Sequence, residues 1–284
     1  EVKKIEQLVS INMDGTELDE VNNNSGIKPV KVSDDTYNII KKGLEYSSLT
    51  NGSFDITIGP LVKLWSIGLP EAKVPTLDEI KGTLKYINYK DVEINDSEKT
   101  VFLKKPGMII DLGGIAKGYT ADVIAQTLKD EGVEKAIIDL GGNIYALGEK
   151  SENTLWRIGI QNPDQTRGEI VGSINVKDKS IVTSGIYERF IEQDGVKYHH
   201  ILSPESGYPY DNEIAGVTII SDKSIDGDAL STSVFSMGIT KGLEFINSQP
   251  DTEAIFITKD HKIYLTEGSQ EIFKLTNDDF EIMN

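Results

Sequence analysis

Twice in close succession an apolar run of this chain ends in Asp-Leu-Gly-Gly. Residues 108–114 read MIIDLGG and residues 136–142 read AIIDLGG. Each describes a strand stopped at a carboxylate by two glycines that let the backbone turn, and MIIDL is apolar enough for burial on both faces. Between them, 119–130 predicts a helix, with Ala121, Ile124, Ala125 and Leu128 on one face at i, i+3, i+4, i+7 spacing. Strand, glycine turn, helix and strand again commit the chain to a mixed fold.

The flanking pattern agrees. Residues 33–48 predict a helix capped by Ser33 or Asp34, with Ile40 and Leu44 on one face. Residues 76–87 predict another, with Thr76 and Glu79 as a capping box and Leu77, Ile80, Leu84 and Ile87 as its stripe. Short strands are expected at 99–103 and 107–112. Alternation in WRIGI, GSINV, KSIVT, KYHHIL and AGVTII makes 155–220 mainly β. A helix is expected over 228–238, and closing strands with a KDHK turn over 253–275. Helices and β-rich runs are partly segregated, which favours α+β over a doubly wound sheet. No linker divides the chain, so residues 1–284 are expected to form one domain.

A chain of 284 residues can bury a sizeable core without staples. It has no cysteine, which excludes thiol catalysis, disulfides and Cys-based metal sites. With 46 acidic and 29 basic residues the net charge is −17, and the lysines form no basic stripe, so nucleic acid is not an expected partner. No run of 18 apolar residues is present to span a membrane. The chain opens on EVKKIEQL, without Met or a signal-like stretch, and an upstream segment is expected to be missing.

Four segments carry candidate chemistry. In DLGGIAKGYTAD, residues 111–122, glycines at a strand–helix junction let N–H groups approach an anion, and Lys117 adds positive charge for a diphosphate. Asp111 could bond a ribose or base. The glycine spacing is neither the dinucleotide fingerprint nor a Walker loop, and a plain Gly-rich turn reads equally well. In DALSTSVFSMG, residues 228–238, Asp228 and Thr232 share a helical face as hard oxygen donors suited to Mg2+. The alternative makes Asp228 a helix N-cap and Thr232 a surface residue.

In YHHILSPESGYP, residues 198–209, the adjacent histidines point to opposite strand faces. One could deprotonate a hydroxyl beside a diphosphate, or both could be structural. In SGIYERF, residues 184–190, Ser184, Tyr187 and Arg189 could line a pocket or form a polar turn. Last, Asn51-Gly52 in NGSFDITIGPLVKLW marks a tight turn whose Gly52, Ser53 and Phe54 could receive an aromatic ring. Trp65 reads as core.

In this order, FDITIGPLVKLW, DLGGIAKGYTAD, DLGGNIYALG, TSGIYERF, YHHILSP with SGYP, and DALSTSVFSMG resemble the ApbE family of FAD:protein FMN transferases, over about residues 50–240. The resemblance implies an ApbE-like, T-fold-related α+β fold with largely antiparallel sheets flanked by helices. It implies an enzyme that binds FAD with Mg2+, transfers FMN to a Thr or Ser hydroxyl of an acceptor protein and releases AMP. The acceptor would carry a motif like Asp-Gly-x-Thr-Gly-Ala-Thr. Asp228, Thr232 and the Gly114 carbonyl would hold the metal, and His200, in preference to His199, would be the catalytic histidine.

Asp111, Lys117, the Gly52–Ser53–Phe54 turn, the backbone at Leu202, and Asn12 in Ser10-Ile11-Asn12 would contact FAD. Ser203 stands where the family usually has Asp. The family's usual N-terminal strand is absent, and its members are commonly exported and lipid-anchored. An extracytoplasmic protein, tethered through a segment outside this chain, is therefore expected. The rival readings are a FAD pyrophosphatase and a flavin-binding carrier without catalysis.

Overall fold

The computed structural model describes residues 1–165 and 168–283. The first part of the chain runs α1 (Val2–Val9), α2 (Glu17–Asn23), β1 (Val30–Lys31), α3 (Asp34–Leu49), α4 (Gly59–Trp65) and α5 (Leu77–Leu84). A short 3-10 turn, β2 (Val92–Asn95), β3 (Thr100–Leu103) and α6 (Ala116–Asp130) follow. Next come β4 (Ala136–Asp139), β5 (Asn143–Leu147), β6 (Trp156–Gln161), β7 (Ile170–Val176), β8 (Lys179–Gly185), β9 (Phe190–Gln193), β10 (Val196–His199) and β11 (Ile214–Ser221). The chain closes with α7 (Ser224–Asn247), β12 (Glu253–Thr258), β13 (Lys262–Leu265), α8 (Glu267–Ile272), β14 (Phe273–Leu275) and β15 (Glu281–Met283). This is a mixed α+β fold.

The chain divides into two compact units. The first takes Glu1–Ala116 and Arg189–Tyr210; the second takes the remaining described residues.

In the first unit β1, β3 and β2 form a small antiparallel sheet, and β9 and β10 form a separate hairpin. The predicted caps hold. Ser33 accepts from the Thr36 amide to start α3, and Glu17 of α2 accepts from the Ser33 amide and hydroxyl at 3.0 and 2.8 Å. Thr76 and Glu79 form the full capping box of α5. Leu77 departs from its expected stripe, being 52% exposed, because the helix starts there and only Ile80 of that face is fully buried. The unit's core gathers Leu61, Trp65, Ile67, Ile80 and Leu202. The Trp65 indole donates to the Gly207 carbonyl at 2.9 Å, which settles the polar atom of a fully buried ring.

The expected strand at 107–112 is absent. Met108, Ile110 and Leu112 are buried as predicted, but pairing is confined to one bridge, Ile58 with Ile109. Instead the Asn22 side chain satisfies both backbone groups of Ile110, at 2.7 and 3.1 Å, and the Asp111 amide donates to Ile56. A side chain in place of a neighbouring strand meets the hydrogen-bond demand but cannot propagate a ladder.

The second unit is built on a seven-stranded sheet in the order β15-β13-β12-β11-β8-β5-β4, antiparallel except for β13 with β15. A three-stranded sheet, β14-β7-β6, contributes Ile158, Ile160, Val171, Ile174 and Val176 to the core it shares with Ile181, Ile220, Ile255, Ile257 and Ile263. Every residue of β11 is buried, as a central strand covered on both faces requires. α7 packs on β8 and β11, and α6 covers β4 and β5 through Ala121, Ala125, Ile138, Tyr145 and Leu147.

Both helices begin earlier than expected. α6 starts at Ala116, so Gly118 lies within its first turn instead of preceding it. α7 starts at Ser224 and breaks at Gly238, whose φ of 75° and ψ of 174° are non-helical. Asn212 donates to the Phe235 carbonyl and Glu213 accepts from the Ile239 amide, so the break leaves these groups satisfied.

Candidate functional site

In the first unit, Asn51 and Gly52 both take positive φ, and the Gly52 amide donates to the Ser47 carbonyl at 2.8 Å. The turn is built as its sequence predicts. Thr50 accepts from the Phe54 amide at 3.0 Å, and Tyr210 donates to the Ser53 carbonyl at 2.9 Å. Phe54 itself is buried. Asn12 lies exposed in the turn after α1.

Gly113 and Gly114 form the turn that leads into α6, and Asp111 accepts from the Gly113 amide at 2.6 Å. Burial pushes the Asp111 carboxyl up; that amide, Arg189 and Lys63 pull it back.

The two histidines of the β10 end differ in kind. His199 is 7% exposed, and its Nδ1 accepts from the Ile201 amide at 3.3 Å. Its Nε2 lies 2.9 Å from the Tyr210 carbonyl, which only accepts, so His199 is held as the neutral Nε2–H tautomer. His200 is partly exposed, and its Nδ1 lies 3.2 Å from the Arg189 carbonyl. That contact places the proton on Nδ1 and leaves Nε2 as the basic nitrogen of the neutral ring. Leu202 bridges Pro209 in the same loop. Ser203, where Asp was expected, accepts from the Glu205 and Ser206 amides and shapes the turn.

In the second unit, Asp228 stands in the second turn of α7, so it is not the helix cap that one reading made it. Its side chain is 5% exposed, and its Oδ2 accepts from the Gly118 amide at 2.9 Å. Burial pushes its carboxyl up; Lys117, the Gly118 and Lys117 amides and Asn143 oppose that. α6 and α7 meet closely here: a Cβ on Gly118 would lie 2.2 Å from the Ser224 carbonyl oxygen. Thr232 is partly exposed one turn beyond Asp228.

The cap of α7 comes from Asp122 of α6, whose two carboxylate oxygens accept from the Ser224 and Ile225 amides at 2.7 and 2.9 Å. Ser184 bonds the Ser231 hydroxyl at 2.8 Å. Tyr187 lies against Gly185, where any Cβ would meet its ring at 2.5 Å.

Among the described residues no group of three or more His, Cys, Asp or Glu is arranged to hold a metal. The donor chemistry of Asp228 and Thr232 nonetheless fits a hard cation. A buried carboxylate needs positive charge nearby, and a hydroxyl one helical turn on is an oxygen donor. Such a cation would draw its other oxygens from backbone, water or substrate phosphate.

Residues 1–256 match the ApbE family model. This chain belongs to the ApbE family. It is 38% identical over its whole length to a FAD:protein FMN transferase of Klebsiella pneumoniae, covering 88% of that protein. It is 36% identical to a FAD:protein FMN transferase of Treponema pallidum over 93% of this chain and 76% of the relative. An ApbE protein from Thermotoga maritima superposes with a TM-score of 0.87 at 33% identity, over 95% of this chain and 87% of that one. The flavin transferase ApbE from Vibrio cholerae gives 0.84 at 30%, with the same coverage.

The ApbE fold thus places Asp111, Gly114, His200, Leu202 and the Gly52–Phe54 turn in one unit, and Lys117, Asp228 and Thr232 in the other. Sequence reasoning gave no role to Asp122 or Asn143. Both lie inside the quoted ApbE blocks, and their polar character in otherwise apolar surroundings was the available signal.

Proposed function

We propose that this chain is a FAD:protein FMN transferase that moves the FMN half of FAD to a Thr or Ser hydroxyl of an acceptor protein and releases AMP. The observation that carries the reading is similarity along the whole chain to proteins of that name. Asp228 and Thr232 are the proposed side-chain ligands of Mg2+; the Gly114 carbonyl joins them on the resemblance alone. When bound, Mg2+ supplies charge neutralisation to the diphosphate and its leaving phosphate.

The remaining roles belong to the chain. Asp111, Lys117, Asn12, Leu202 and the Gly52–Phe54 turn bind FAD in this reading. His200 Nε2 takes the proton of the acceptor hydroxyl as its oxygen bonds to the FMN phosphorus, while the bond to the AMP oxygen breaks. The acceptor is expected to carry an Asp-Gly-x-Thr-Gly-Ala-Thr-like motif. An extracytoplasmic, lipid-anchored location follows the same resemblance and is tested by fractionating the source cell.

Incubation with FAD, Mg2+ and a motif-bearing acceptor tests the activity. A fluorescent acceptor band in a denaturing gel, with stoichiometric AMP, is expected. AMP and free FMN with a dark acceptor band would replace the transferase by a pyrophosphatase. FAD left intact would leave only a carrier.

A further inference from the structure

Asn143 opens β5 and is completely buried. Its Oδ1 accepts from the Ser224 hydroxyl at 2.5 Å, and Ser224 in turn accepts from the Ser180 hydroxyl at 2.8 Å. Because Ser224 accepts from Ser180, its own proton goes to Oδ1, which leaves Nδ2 on the other side of the amide. Nδ2 is buried and completes no hydrogen bond among the described residues. A buried N–H left without a partner carries the full cost of its desolvation, so a folded chain that keeps one has a reason to do so. Ser224 and Asp228 stand one helical turn apart on the same face of α7, so the amide bound at Ser224 neighbours the Asp228 carboxylate, whose Oδ2 is held by the Gly118 amide.

We propose that Asn143 is a positioning residue for Asp228, its Nδ2 steering the carboxylate so that one oxygen faces the metal. The inference rests on Asp228 being a metal ligand, as proposed above. The Ser180–Ser224–Asn143 relay sits at the start of α7, four residues before Asp228, and joins β8, α7 and β5. The metal ligand is thereby tied to the sheet as well as to α6. Such support of a ligand ordinarily changes metal affinity by about 10–100-fold.

The test uses the full chain with saturating FAD and Mn2+ as a spectroscopic stand-in for Mg2+, with free Mn2+ read by electron paramagnetic resonance. Asn143→Ala should weaken Mn2+ binding at least ~10-fold, with FAD binding in EDTA unchanged. Ser224→Ala, which keeps the amide but releases its orientation, should weaken Mn2+ binding by less. Unchanged Mn2+ affinity in a folded Asn143→Ala protein overturns the proposal. Equal losses of Mn2+ affinity and metal-free FAD binding also overturn it, because they mark a merely structural role. Should Asn143→Ala fail to fold, Ser224→Ala decides alone, and wild-type Mn2+ affinity there overturns the proposal. Asp228→Ala runs beside them. If it binds Mn2+ as the wild type does, the metal-ligand reading itself fails; if only the Asn143 and Ser224 variants do, the failure belongs to this inference.

Discussion

At the residue scale, two side chains carry the proposed chemistry and their neighbours decide how each can act. Asp228 is buried, and its carboxyl is pushed up chiefly by that burial. Replacing it by Ala removes a buried carboxylate as well as a proposed ligand. Turnover of FAD is therefore expected to fall at least ~100-fold and lose its response to Mg2+. The melting temperature without metal should stay within a few degrees of wild type. Unchanged turnover would dismiss the assigned ligand.

His200 and His199 separate by what holds their rings. His200→Gln keeps a polar group but no base, and kcat is expected to fall by about 10²–10⁴-fold together with loss of the acidic limb of the pH profile. His199→Gln disturbs one buried and one partly buried hydrogen bond, each worth about 1 kcal/mol, and should cost stability first. A urea titration of both variants beside their kinetics distinguishes the two. The adjacent histidines were plain in the sequence, but β10 ends at His199, so His200 lies in the bend beyond it and strand alternation does not set where it faces. Which one is sealed by Ile201 and Tyr210 depends on a loop that returns from Pro209, and residue spacing alone carries no such information.

At the element scale, Asp122 in the second turn of α6 caps the first turn of α7. Its carboxyl is pushed up to about 6 from 3.8, first by burial and then by Asp226, against the pull of the Ile225 and Ser224 amides and Lys223. Because the folded value lies above the unfolded one, the folded chain holds a proton between pH 3.8 and about 6 that the unfolded chain has released. The stabilisation from this group is complete below the unfolded value and is lost as pH rises through about 6. A rise from 3.8 to about 6 bounds the effect at about 3 kcal/mol. Asp122→Asn removes the titration, so the change in urea midpoint between pH 5 and pH 7.5 should be smaller in the variant. Equal changes would show that Asp122 does not titrate in this range.

The periodicity of α6 and the caps of α3 and α5 were legible because each is decided within a few residues. The start of α7 was not. Its cap is a carboxylate a hundred positions earlier, and the sequence around Lys223 offers no side chain that caps it. The segment 107–112 misled for a related reason: its apolarity reports burial, while its hydrogen bonds go to Asn22.

At the scale of the whole molecule, the net charge of −17 sets the terms on which a dinucleotide diphosphate can approach. FAD is an anion, and two like-charged partners repel over roughly 30 Å at 0.01 M salt and about 8 Å at 0.15 M. In EDTA, where no divalent ion offsets the diphosphate, raising NaCl from about 20 to about 200 mM should therefore strengthen FAD binding and speed association. With saturating Mg2+ the same change of salt should matter less, because the ligand arrives with much of its charge neutralised. Flavin fluorescence titrations at two salt concentrations, with and without Mg2+, check this. The contrary outcome, weaker FAD binding on adding salt in EDTA, would mean that local positive charge, from Lys117 in one unit or from Lys63 and Arg189 in the other, outweighs the acidic whole. The charge balance of the complete chain would then be a poor guide to the field its ligand meets.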